Sequence, residues 1–146
     1  MEKSKLILLT FVPIIINRLS NFFLLMPVLG TLSFYVVPLL TTVFWYWLGK
    51  QYAHGPWKPA PAILIAHAVG ICSFLIYLWQ FVLVTGEARN LTLAALSQQF
   101  AASTPMYLFG PIARLFPWPQ LAMQIIGLVY MIVVFCVGMH AEKNRV

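Results

Sequence analysis

Apolar residues fall into long runs along the chain, and charged residues lie between the runs. No charged residue occurs between Arg18 and Lys50, between Lys58 and Glu87, or between Arg114 and Glu142. A helix needs about 20 apolar residues to cross a hydrocarbon core of ~30 Å. The pattern therefore predicts three transmembrane helices, at about residues 31–49, 62–86 and 120–140.

The segment 6–27 is a candidate for a fourth span. Residues 6–16 are apolar on every side, whereas a helix that lies on the membrane surface has a polar face. Asn17, Arg18 and Asn21 interrupt the segment before residues 22–26 become apolar again. We predict that 6–27 inserts into the bilayer and that residues 27–30, with Pro27 and Gly30, form a tight turn after it.

The distribution of basic residues favours four spans over three. Lys and Arg accumulate in the cytoplasmic loops of membrane proteins. With four spans, one side carries Lys3, Lys5, Lys50, Lys58, Lys143 and Arg145, and the other carries only Arg89 and Arg114. With three spans and residues 6–27 outside the membrane, five basic residues lie on one side and four on the other, so the basic residues would not favour either orientation of the chain. Four spans with both termini cytoplasmic are therefore expected, in a bacterial inner membrane.

The stretch 87–119 is the only long segment that the pattern leaves outside the membrane. Asn90 can cap a helix running to about Ala102, with Leu93, Leu96 and Phe100 on one face. The predicted fold is an all-α integral membrane protein, a four-transmembrane-helix bundle with this interfacial amphipathic segment between helices 3 and 4. Residues 1–146 form a single polytopic domain.

Composition supports a lipid environment and argues against nucleic-acid binding. Apolar residues make up 62% of the chain and charged residues 8%, against about 45–50% and about 25% in soluble domains. The net charge is +6, but the basic residues flank the apolar runs, where they anchor helices at the membrane surface. No basic stripe of a nucleic-acid-binding face is visible.

Arg18 is the most unusual residue of the predicted spans. A charged side chain at a bilayer centre costs about 2.5–3.5 kcal/mol and usually faces a bundle interior or a water-filled cavity. The acids Glu2, Glu87 and Glu142 all lie outside the spans, so the chain supplies no buried counter-ion. The candidate intramembrane polar site is Arg18 with Asn17, Asn21, Gln80 and Gln124. Alternatively, Arg18 snorkels to the surface, or the helix is broken there.

Small residues at four-residue spacing on the third helix predict close helix packing. They are Ala62, Ala66, Gly70 and, nearby, Ser73. Such stripes let helix backbones approach one another in a membrane. The favoured interpretation is packing within the chain, and the alternative is a homodimer or partner interface.

The sequence offers little for catalysis or cofactor binding. His67 and His140 are weak candidates for a metal or haem site, because their spacing is not diagnostic and their predicted depths differ. No nucleophile with a base, phosphate-binding loop or paired carboxylates occur. We expect no cofactor and favour a non-enzymatic role.

Two functions are favoured over a third, a membrane redox or lipid enzyme, which would need His67 and His140 together. The first is an accessory, assembly or regulatory subunit that acts through helix–helix association with a membrane protein partner or another copy. The second is a small oligomeric transporter or channel for an anionic or neutral solute. The second requires a polar cavity that reaches Arg18.

Overall fold

The chain is all-helical wherever the structure describes it. The computed structural model describes residues 2–24, 26–98 and 109–144. The α-helices in these ranges are α1 (Lys3–Leu9), α2 (Val12–Leu24), α3 (Pro27–Ala53), α4 (Pro59–Tyr77), α5 (Leu91–Gln98), α6 (Gly110–Ala113) and α7 (Pro119–Lys143). A π-helical segment, Leu78–Leu83, continues α4, and a 3-10 turn follows at Gly86–Ala88.

Among the described residues, two helical segments are long and apolar enough to cross a membrane. They are Pro59–Leu83 and Pro119–Lys143, with mean hydropathies of 2.1 and 2.4. Only 33% and 22% of their most apolar windows are buried within the chain. A core helix of a soluble protein would be mostly buried, so by length, composition and exposure the two helices are more typical of membrane spans.

The first predicted span is two helices. A turn at Thr10 and Phe11 separates α1 from α2, and the Thr10 side-chain hydroxyl donates to the Ile7 carbonyl at 2.7 Å. Pro13 follows in the first turn of α2 and has no N–H with which to bond the Leu9 carbonyl. The single helix expected over 6–27 is therefore interrupted, and α2 ends at Leu24.

Prolines begin the three long helices. Pro27, Pro59 and Pro119 stand in the first turns of α3, α4 and α7. A proline suits this position because its φ angle is already helical and no N–H bond is required there. The tight turn predicted at residues 27–30 is wrong for this reason, since these residues form the first turn of α3.

Helices α3 and α7 run parallel and form the most extensive helix pair. Thr42 Oγ1 lies 3.4 Å from Tyr130 Oη, and two turns later Lys50 Nζ lies 3.6 Å from a Glu142 carboxylate oxygen. Residue numbers rise together along both helices, which defines their parallel direction. The short connection between α3 and α4 turns α4 back along the bundle.

Two glycines allow the backbones of α3 and α7 to touch. A Cβ atom at Gly49 would overlap the Phe135 carbonyl oxygen and lie 3.1 Å from Met139 N. A Cβ atom at Gly138 would overlap the Tyr46 carbonyl oxygen. The contact is reciprocal, so neither helix can accept a larger residue at its crossing position without moving.

The buried apolar core lies at the end of the bundle that holds the N-terminal helix, the α3–α4 connection and the end of α7. The cluster consists of Leu6, Trp45, Leu48, Tyr52, Ala62, Ala66, Met131, Phe135 and Met139. Aromatic rings dominate it: Tyr52 meets Phe135 edge to face at a centroid distance of 5.3 Å. The cluster connects α1, α3, α4 and α7 at one end.

Helix α5 begins at the predicted residue, and its small residues are the ones that are buried. The Asn90 carboxamide oxygen accepts the backbone N–H groups of Thr92 and Leu93 at 3.0 and 3.1 Å. Ala94 and Ser97 are buried, whereas Leu96 is 52% exposed. Small residues therefore let α5 approach α4 closely and leave a leucine outside. The predicted continuation to Ala102 lies beyond the described residues.

Candidate functional site

Arg18 lies in an open groove between α2, α4 and α5, which we call the Arg18 groove. Its volume is about 450 Å³. It is lined by Ile14 and Arg18 of α2, Ala68, Val69, Cys72, Ser73 and Ile76 of α4, and Leu96 of α5. Ile14 precedes Arg18 by one helical turn, so both side chains emerge on the same face of α2.

The groove lies near the middle of the apolar helix formed by α4 and its π-helical continuation. Cys72 follows Pro59 by 13 residues and precedes Leu83 by 11. At 1.5 Å per residue, these separations correspond to roughly 20 and 16 Å. If Pro59–Leu83 crosses a bilayer, Arg18 is close to the bilayer midplane.

The guanidinium of Arg18 has no counter-ion in this groove. No acidic residue lines it, and no hydrogen bond or ion pair joins Arg18 to another residue of the described ranges. Glu142 instead lies at the end of α7, where it contacts Lys50 and His54. Among the described residues, the groove thus combines an apolar lining with one exposed positive charge that has no counter-ion.

A side-chain hydrogen bond fixes one wall of the groove. Ser73 Oγ on α4 donates to the Ser97 carbonyl of α5 at 2.7 Å. Ser97 itself is buried, with its hydroxyl donating to the Ala94 carbonyl at 2.7 Å. The Ser73–Ser97 bond joins α5 to α4 next to Leu96, whereas the Ser97–Ala94 bond lies within α5.

The predicted polar residues do not assemble around Arg18 in the described part of the chain. Gln80 is buried, and its carboxamide oxygen accepts the Asn90 backbone N–H at 2.8 Å. Gln124 Nε2 is buried with no hydrogen-bond partner in the described ranges, and neither glutamine lines the groove. The side chains of Asn17 and Asn21 lie outside the part that the structure describes.

Gln80 connects α4 to the segment that follows it. Its backbone carbonyl accepts a hydrogen bond from Arg89 Nε at 2.9 Å, and the Arg89 guanidinium lies 4.5 Å from the Phe81 ring centroid. The π-helical segment here bonds Val84 N–H to the Trp79 carbonyl. Gln80 is thus part of a well-bonded helix end.

The predicted small residues lie in two environments. Ala62 and Ala66 belong to the buried core, and Gly70 is buried on the same helix. Ser73 lines the Arg18 groove and bonds to α5. Ala62 and Ala66 thus face the chain's own core.

His67 and His140 do not come together as a ligand pair. His67 is buried, its Nδ1 lies 3.0 Å from the Ile63 carbonyl oxygen, and its ring stacks on Trp45 at 4.5 Å. His140 is exposed and its Nε2 lies 3.0 Å from Asn144 Nδ2. Among the described residues, no group of three or more His, Cys, Asp or Glu could hold a metal ion.

Sequence reasoning missed the role of Glu142 in joining two helices. Its carboxylate oxygens lie 3.6 Å from Lys50 Nζ and 3.2 Å from His54 Nε2. Lys50 also lies over the Tyr46 ring, 5.2 Å from its centroid. The sequence does place Lys50 and Glu142 at the same end of two predicted spans. It does not show that the second and fourth spans are adjacent, which the contact between these residues requires.

Comparison with known proteins identifies no family for the chain. No protein-family model, no curated protein and no solved structure matches it.

Proposed function

We propose that the chain is a four-span membrane protein that acts as an accessory, assembly or regulatory subunit through helix–helix association. The proposed location is a bacterial inner membrane, with both termini in the cytoplasm. The observation that carries the proposal is the exposed guanidinium of Arg18 in an apolar groove that has no acid.

Exposed apolar faces support the membrane part of the proposal. On α7, Ile125, Val129, Val133 and Val137 are each 43–54% exposed and follow one another at every fourth residue. On α3, Tyr35, Leu39 and Val43 repeat at the same spacing with exposures of 62–66%. Continuous apolar ridges of this length suit contact with lipid tails and are costly in water.

The arrangement of the helices supports four crossings. Helix α3 has 27 residues and is therefore roughly 40 Å long, enough to span a bilayer. Helix α2 lies alongside the middle of α4 at the Arg18 groove. The core brings together α1, the end of α3, the start of α4 and the end of α7. These four chain segments would lie on the same side of the membrane if the chain crossed it four times with both termini on that side.

The charge of Arg18 supports association as the function. Charged residues within membranes pair with one another or with backbone carbonyls, or face water-filled cavities. The described residues provide Arg18 with neither a charge partner nor a polar cavity. A partner protein that contributes an acid would remove the cost of the unpaired charge, and this gives the two proteins a reason to assemble.

The experiment is purification of the tagged chain from its native membrane in a mild detergent, followed by sizing on a native gel. We expect migration as a complex with another protein, and loss of that complex in Arg18→Leu. Arg114→Leu is the matched control because Arg114 is exposed at the far end, outside the groove. A wild-type chain that migrates alone would contradict the proposal.

The transporter alternative has less support. It predicts a polar cavity joining Arg18 to Gln80 or Gln124, but the lining of the Arg18 groove is almost entirely apolar and includes neither glutamine. Solute flux into vesicles containing the purified chain, abolished by Arg18→Leu, would favour this alternative over association.

A further inference from the structure

Helix α4 presents small residues on two different faces. Ala62 and Ala66 are buried against the chain's own core. Ala68 and Cys72, one turn apart, are exposed and form the floor of the Arg18 groove. Small residues on an outward face let a second helix approach the α4 backbone closely. The groove is thus shaped to receive a helix between α2 and α5.

The charge in the groove specifies what that helix must carry. In a low-dielectric environment an exposed guanidinium is best compensated by a carboxylate, which accepts two of its N–H groups at once. The carboxylate must lie at the depth of Arg18, level with Cys72 in the middle of the apolar helix. A phospholipid head group is about 15 Å away at the membrane surface, since the core is ~30 Å thick.

A second copy of this chain cannot supply the carboxylate. The acids of this sequence, Glu2, Glu87 and Glu142, lie at or beyond the ends of its apolar segments. Glu142 is also engaged by Lys50 and His54. The occupant therefore belongs to a different protein.

We propose that the Arg18 groove binds one transmembrane helix of a partner protein, and that this helix carries an Asp or Glu in the middle of its apolar stretch. The inference rests on the proposed function and names the class of partner. The carboxylate pairs with Arg18, and the helix backbone lies against Ala68 and Cys72 while Ile14 and Leu96 flank it on either side.

The test uses two synthetic transmembrane helices of leucine, identical except that one has a central Glu and the other a central Leu. Binding to the purified full chain is measured by energy transfer in phosphatidylcholine vesicles. We expect the Glu helix to bind at least about tenfold more tightly, in line with polar helix contacts in membranes. Equal binding of the two helices would overturn the proposal.

Variants of the groove identify the binding site. Arg18→Leu should remove the preference for the Glu helix, and Arg18→Lys should retain part of it. Ala68→Trp fills the floor of the groove and should block binding with Arg18 intact. Val129→Trp, on the exposed ridge of α7 outside the groove, should change nothing. Unchanged binding in both Arg18→Leu and Ala68→Trp would contradict the inference.

A fatty-acid carboxylate is the competing occupant. Oleate added to the vesicles should leave binding of the Glu helix unchanged. If oleate instead displaces the helix from the wild-type chain, and Arg18→Leu abolishes oleate binding, the groove is a lipid site and the inference is wrong.

The native gel separates failure of this inference from failure of the proposed function. A wild-type complex that survives both Arg18→Leu and Ala68→Trp would show association through another surface, so that the function stands and this inference fails. A wild-type chain that migrates alone overturns the function, whatever the leucine helices do.

Discussion

The hydroxyl of Tyr52, at the end of α3, donates a hydrogen bond to the Leu6 carbonyl of α1 at 3.3 Å. Both residues are buried in the core cluster. Their contact places the N-terminal helix at the same end of the bundle as the α3–α4 connection. The contact is expected if the first segment packs beside α3, and it would be absent if the first segment lay apart from α3.

Tyr52→Phe should lower the free energy of unfolding by about 0.5–1.5 kcal/mol, because it removes one hydrogen bond and keeps the ring. Tyr52→Ala should cost about 3–5 kcal/mol, because the contacts with Trp57 and Phe135 are lost as well. Thermal unfolding in detergent measures both, with Tyr35→Phe, at a 63% exposed site, as the control. No loss in Tyr52→Phe relative to the wild type would contradict the hydrogen bond to Leu6.

Gly49→Ala and Gly138→Ala should each destabilise the protein by about 1–3 kcal/mol, as overpacking does. The added Cβ would overlap a backbone carbonyl of the facing helix, which cannot rotate away as a side chain could. Helix propensity alone predicts the opposite sign, since Ala stabilises a helix interior by about 0.5–1 kcal/mol relative to Gly.

Gly110→Ala is the matched control for the two glycines, because nothing lies within 4 Å of a Cβ at that helical position. Unfolding midpoints of the three variants are compared with that of the wild type, and we expect a lower midpoint for Gly49→Ala and Gly138→Ala but not for Gly110→Ala. Stabilisation by Gly49→Ala would show that α3 and α7 do not cross at this point.

Glu142→Gln should weaken the attachment of α3 to α7 by about 1 kcal/mol or less, because the pairs with Lys50 and His54 are partly exposed to solvent. High salt should reduce the difference from the wild type. Glu2→Gln, whose pair with Lys5 is largely exposed, should have no measurable effect. Equal unfolding midpoints of Glu142→Gln and the wild type at low salt would rule out a stabilising role for Glu142.

Asn90→Ala should loosen the start of α5 by about 1 kcal/mol, because the cap of Thr92 and Leu93 is removed. Hydrogen exchange of these two amides should accelerate, while Asn90→Asp should retain the protection of the wild type. Exchange that is unchanged in Asn90→Ala would show that the cap does not hold α5.

The long helices could be predicted from sequence because a bilayer requires one unbroken apolar stretch per crossing. The predicted runs 62–86 and 120–140 correspond to the helical segments Pro59–Leu83 and Pro119–Lys143, the first of which ends three residues before the predicted boundary. Helix starts were harder. Proline is common both in turns and at the first position of a helix, so the sequence alone does not distinguish these roles for Pro27.

The break at Thr10 and the packing face of α5 depend on tertiary contacts that one sequence does not reveal. Apolar periodicity grouped Leu96 with Leu93 and Phe100 on one face, whereas in the structure Ala94 and Ser97 are buried and Ser97 bonds to α4. For the candidate site, Arg18 could be singled out because its charge is anomalous. Its neighbours Cys72 and Leu96 could not, because they lie far away in the sequence.

The most direct measurement is cysteine labelling in a Cys72→Ser, Cys136→Ser background with a maleimide that cannot cross membranes. Ser4→Cys and Lys58→Cys report on the end of the bundle where Tyr52 meets Leu6, and Gly86→Cys reports on the opposite end. In spheroplasts we predict labelling of the cysteine at position 86 alone, with positions 4 and 58 labelled only after permeabilisation. Labelling at position 4 while position 58 stays protected would mean that the first segment does not cross, and would contradict the four-span account.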